Sequence, residues 1–146
     1  MKKIPEANDP IAARLRMLDV RRLLIRGQRV WLDSHLAEVF NVTTSELRRQ
    51  FKRHRARFPF GFAFQLMHRE VLALRSQEEG AAIQYAASLP WAFTESGTLI
   101  LAGVLKSPVA VEISVRLVRA FVRMQNLTAR ATAFGQVEGF GESRIR

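Results

Sequence analysis

The chain has 146 residues, 48% of them hydrophobic, enough apolar material for a single domain with its own core. It carries 23 Lys+Arg against 13 Asp+Glu, a formal charge of +10, which points to a polyanionic partner: DNA, RNA or an anionic membrane surface. Without cysteine it holds no disulfide, thiolate metal site or cysteine nucleophile, and its longest apolar run, near residues 99–105, is far shorter than the roughly 20 residues that cross a bilayer.

Residues 1–19 read as a polar arm. Lys2-Lys3 is followed by Ile4-Pro5-Glu6-Ala7-Asn8-Asp9 rather than an apolar stretch, so no export signal is expected. Asp9-Pro10 suits the start of a short helix with Ile11, Leu15 and Leu18 on one face. Val20–Arg26 and Arg29–Leu32 are rich in β-formers and flank Gly27-Gln28, which predicts a hairpin with a type II′ turn. Helical patterning then runs from Asp33 to Phe58.

Within that run the spacing predicts two helices joined by a tight turn. Asp33 or Ser34 caps the first, with Leu36, Ala37 and Phe40 inward. Asn41 tolerates the left-handed conformation that ends a helix, Val42 plugs the turn, and Thr43-Thr44-Ser45-Glu46 has capping-box spacing. Small Ala37 lets the second helix approach, and Leu47 is its first inward residue. This is helix-turn-helix spacing, with an ordinary helical hairpin as the alternative. The second helix, about 44–57, packs Arg48, Arg49, Lys52, Arg53, Arg55 and Arg57 together without an intervening acid. Residues 21–57 hold ten basic residues and three acids, so +7 of the total +10 lies here.

On a helical wheel Leu47, Phe51 and Phe58 face the core. Thr44, Ser45, Arg49, Lys52 and Arg53 are the candidates to read base edges. Arg48, Arg55 and Arg57 on the flanks, with Arg26 and Arg29 of the hairpin, are the candidates to grip phosphate. Repulsion among these cations is tolerable where phosphates relieve it.

Phe60, Phe62, Phe64 and Leu66 alternate with smaller or polar residues, predicting a strand over 62–66. The alternating Phe suit a core face or a stacking platform for single strands, and the core reading is expected. A helix with Met67, Val71 and Leu74 inward follows, broken at Glu78-Glu79-Gly80. Thr94 caps a buried helix containing 99–105, and Ser107-Pro108 starts a last helix to about Leu127, with Glu112, Arg116, Arg119 and Arg123 outward as a solvated face or a second phosphate contact. Residues 128–146 read as a tail or a linker. His35, His54 and His68 share no metal-ligand spacing, and no phosphate loop, carboxylate pair or nucleophile motif is present in the sequence; no enzyme activity, metal or cofactor is expected.

These residues together resemble the phage open-reading-frame-six N-terminal domain family, related to KilA-N domains. The resemblance is carried by Ile25-Arg26-Gly27, Leu32-Asp33, Leu36-Ala37, Leu47, Lys52-Arg53, Arg57-Phe58-Pro59, Phe62 and Phe64-Gln65-Leu66, then Ala92-Phe93-Thr94-Glu95, Gly97 and Arg119-Ala120-Phe121-Val122, across roughly residues 20–124. Arg48 and His54 stand where the family usually has Asn, Gly61 where it has an acid, and Ser96 where it has Gln. The resemblance implies DNA binding in phage or prophage regulators, including antirepressor-type proteins. The fold expected is α+β: a helix-turn-helix on a small antiparallel sheet (about 20–26, 29–32 and 62–66) in a domain over 20–127, with C-terminal helices closing the core. The expected function is sequence-specific binding of double-stranded DNA in a bacterial cytoplasm, associated with the nucleoid. The alternatives are an antirepressor that captures a repressor protein, and RNA binding through the same patch. A homodimer is compatible with either; a membrane is not an expected partner.

Overall fold

The computed structural model describes residues 9–76 and 88–135. Asp9 caps the first helix, α1 (Pro10–Arg21), its carboxylate accepting from the Ile11 and Ala12 amides, with proline at the first helical position where no amide bond is lost. The helix runs past the end of the proposed arm and packs on the domain: Leu18 is buried, and its carbonyl accepts the Trp31 indole N–H at 2.7 Å.

The hairpin forms from β1 (Leu23–Ile25) and β2 (Gln28–Leu32), paired Ile25 to Gln28. Its turn residues are Arg26 and Gly27, with φ of 56° and 76°. Two positive φ values make a type I′ turn, so the expected type II′ turn is corrected by one residue. Register decides this: the first strand starts at Leu23 rather than Val20, because α1 occupies the residues before it.

Then come α2 (Asp33–Phe40), α3 (Thr44–Arg53), a single 3-10 turn over Arg55–Arg57, β3 (Ala63–Gln65), α4 (His68–Arg75), β4 (Trp91–Phe93), α5 (Glu95–Val104) and α6 (Pro108–Gly135). The sheet is antiparallel throughout, in the order β1-β2-β4-β3. The sheet expected from sequence lacked β4, which stands between β2 and β3; Trp91-Ala92-Phe93 is too short to announce a strand by periodicity alone. Successive side chains leave opposite faces of the sheet. Val30, Leu32 and Ala92 meet Val71 and Leu74 of α4, while Trp31 and Phe93 join the larger core of α2, α3, α5 and α6. The sheet is therefore covered on both faces.

Helix ends follow the local chemistry. Thr94 accepts from the Gly97 amide and Ser107 from the Ala110 amide, as expected. Glycine at 97 is required by packing: a Cβ there would stand 2.1 Å from the Phe62 carbonyl oxygen. Three expectations change. Met67 is exposed rather than inward, at the start of α4. Phe60 lies outside β3 and is fully exposed, so it belongs to no core face. The last helix continues to Gly135 rather than stopping near Leu127, and every described side chain from Val118 onward is exposed. The Glu78-Glu79-Gly80 break and the segment after Gly135 fall outside the described residues.

Candidate nucleic-acid interface

The α2–α3 unit is built by its turn. Asn41 takes φ 61° and ψ 45°, and its amide and that of Val42 bond back to carbonyls of Glu38 and Ala37. The Thr43 hydroxyl accepts from the Glu46 amide at 3.0 Å, starting α3. Glu46 does not complete a capping box; its carboxylate turns to Arg49 and Gln50 along the helix. Leu36, Ala37, Phe40, Leu47 and Phe51 are buried between the two helices and the core beneath. Phe51 stacks edge-on with Phe58, Trp91 and Phe93 at centroid distances of 4.9 to 5.0 Å, which fixes the rear of α3.

Asp33 has a different task from the expected cap. The helix α2 begins without a side-chain cap bond. The Asp33 carboxylate is 1% exposed and accepts three donors: the Ser34 amide at 2.7 Å, the Trp91 amide at 3.2 Å and Arg48 Nε at 2.6 Å. Arg48 also donates to the Ser88 hydroxyl and the Leu89 carbonyl. One carboxylate thus ties α2, α3 and β4 together. Arg48, expected as a phosphate contact, points inward, and its guanidinium is committed to this junction. The sequence holds both partners, an acid at the start of α2 and an arginine on α3, but their pairing spans 15 residues and depends on the turn between the helices.

The other candidates sort by exposure. Ser45, Arg49, Lys52 and Arg53 lie on the solvent side of α3, with Thr44 half-buried in its first turn. Arg49 is engaged by Glu46 on its own helix. The side chains of Lys52, Arg53 and Arg57 reach solvent without an ion-pair or hydrogen-bond partner among the described residues. The helix does not extend to 57: His54 ends it, its Nδ1 bonding the Gln50 carbonyl at 3.0 Å, and the 3-10 turn follows. That turn lays Arg55 over the rings of Phe51 and Trp91 at 5.0 and 5.2 Å while leaving it exposed.

The hairpin arginines part company. Arg26 is held by Glu70 through two bonds of 2.8 and 2.9 Å and lies over the Phe64 ring at 4.2 Å. Its bonds to Glu70 hold the Arg26 guanidinium above its usual pKa, and the same guanidinium holds the Glu70 carboxyl below the usual carboxylate range. Arg29 is freer, 68% exposed, with Glu95 at 3.9 Å, and it lines an open hollow with Phe60, Gly61 and Phe62. Arg116, on the expected outer stripe, is paired to Asp9 at 2.8 Å and Glu112 at 3.2 Å, which makes it an internal brace between α6 and α1. Burial pushes the His35 imidazole below its ordinary pKa, with Arg21 adding to the effect.

Among the described residues no cluster of histidine or acidic side chains could hold a metal ion, and no helix is long and apolar enough to cross a membrane. Among family models, the one described as the ORF6N domain matches residues 21–104. No curated protein and no solved structure matches the chain.

Proposed function

The chain belongs to the ORF6N domain family, and from that premise we propose that it binds double-stranded DNA in phage-type gene regulation, with α2, its turn and α3 acting as a helix-turn-helix. The observation that carries this reading is the one-sided division of α3. Its rear is fixed by Leu47, Phe51 and the Asp33–Arg48 pair, while Lys52, Arg53 and, just beyond, Arg57 are exposed and have no ion-pair partner among the described residues. A folded domain gains nothing from holding unanswered cations together. Duplex phosphates answer these charges and relieve their repulsion, and the cations condensed on the DNA are released.

In this reading Ser45, Arg49, Lys52 and Arg53 meet base edges in the major groove, and Arg29, Arg55 and Arg57 meet phosphate. Arg49 exchanges Glu46 for a guanine edge on binding. Arg48 and Arg26, being committed to Asp33 and Glu70, act by placing α3 and the hairpin.

The test is binding to duplex DNA and duplex RNA over a range of salt. The expected result is tighter binding to DNA, falling by about 0.9 log units per log unit of salt for each phosphate neutralised. A flat salt response would move the function to capture of a repressor protein; preference for duplex RNA would change the nucleic acid.

A further inference from the structure

The turn after the basic segment holds an aromatic ring in water. Phe60 is fully exposed, with a relative accessibility of 105%. It is the most exposed large apolar side chain among the described residues, and it stands three residues beyond Arg57.

The turn is not loose. Pro59 fixes the backbone before it, and Gly61 takes φ 91° after it. The Phe62 amide donates to the Pro59 carbonyl at 3.0 Å. The Phe62 carbonyl accepts both the Thr94 amide at 3.1 Å and the Thr94 hydroxyl at 3.2 Å. Gly97 packs so closely beneath that carbonyl that no side chain fits there. The support is over-determined while the ring it presents touches solvent, which is the arrangement of a preorganised contact rather than a misplaced core residue.

The surroundings narrow the chemistry of the occupant. Exposed Arg55 and Arg57 precede Phe60 in the chain. Arg29 lies across a shared open hollow of about 450 Å³, where Glu95 is already 3.9 Å from it. An apolar protein surface would have to desolvate these arginines. A base step in a duplex offers a π-face to the ring and phosphates on both sides to the cations.

We propose that Phe60 is a wedge that enters a base step of double-stranded DNA, partly unstacking it and bending the duplex, while Arg57 and Arg29 hold phosphates beside that step. This rests on duplex binding by the α3 face. The wedge makes the bend, and the bend brings the hairpin side of the protein to the backbone.

The full chain is tested on a short mixed-sequence duplex with donor and acceptor fluorophores at its ends, so that one titration reads affinity and bend together. Wild type should bind and raise energy transfer. Phe60→Ala should melt as wild type, since the ring is exposed, yet lose the bend and bind about tenfold more weakly. Phe60→Trp should restore both. If Phe60→Ala binds and bends as wild type does, the wedge is overturned and Phe60 belongs to a protein contact. Binding by wild type without bending also overturns the wedge while leaving the α3 reading intact. Absence of any duplex binding by wild type overturns both.

Discussion

Arg48 and Lys52 stand one turn apart on α3 and meet opposite surroundings. Arg48 donates to a carboxylate that is 1% exposed and joins three elements. Lys52, with Arg53 and Arg57, is exposed and meets no partner among the described residues. Residues four apart share nearly the same side of a helix, so what separates these two is not the side they occupy but what lies opposite each. The lesson is that a run of like charges is not a single feature: each cation is defined by what the rest of the fold places opposite it.

The sharpest way to break this division is from its apolar root. Leu47 is 0% exposed between α2 and α3. Leu47→Asp buries an unpaired charge there and should cost more than about 4 kcal/mol, unfolding the domain. A thermal melt followed by circular dichroism checks it; a melt like that of wild type would place Leu47 on the surface.

Asp33→Ala should come next. It removes the carboxylate that Arg48 and two backbone amides share, and loss of the buried partner of such a pair costs roughly 3 kcal/mol. Removing Arg48 together with Asp33, as Asp33→Ala with Arg48→Met, should recover part of that loss in denaturant titration. If the double variant is as unstable as the sum of the singles, the pair is not the element that holds α3.

Acidification probes the neighbouring helix α2 more gently. His35 is buried with its Nδ1 unbonded among the described residues, and its folded pKa lies below the unfolded value near 6.5. The unfolded chain therefore takes up the proton first, so stability is retained above about pH 6.5 and declines as pH falls through that value and on toward the folded pKa. Glu70, held low by Arg26, adds a second decline below its unfolded value of 4.5. A His35→Gln variant should lose the first decline and keep the second when melting temperature is followed against pH.

The smallest effect on stability is expected on the front face. Lys52→Ala and Arg53→Ala should each change unfolding free energy by less than about 0.5 kcal/mol. Each should nevertheless weaken duplex binding, and a residue that meets phosphate should lower the salt slope by about one contact. Arg49→Ala should instead narrow the gap between a preferred sequence and random DNA, by the roughly 1–3 kcal/mol a guanine contact provides. Equal loss on both DNAs would move base reading to another element.

What the sequence determined by itself was set within a few residues of chain. Asn41 could end α2 because its backbone tolerates the left-handed conformation, and Thr43, Thr94 and Ser107 could start helices because each hydroxyl accepts from the amide three positions on. Leu47 and Phe51 could be placed inward because helical periodicity fixes their side. The class, helices with a small antiparallel sheet, and the concentration of charge over 21–57 followed from the same local reading. Tertiary structure decided the rest. It inserted β4 into the sheet, turned Arg48 toward Asp33 across 15 residues and Arg26 toward Glu70 across 44, and left Phe60 in solvent where its spacing suggested a core face. The physical reason is range: backbone hydrogen bonding and periodicity are local rules, whereas the partner of a charge or a ring is whatever the completed fold brings beside it.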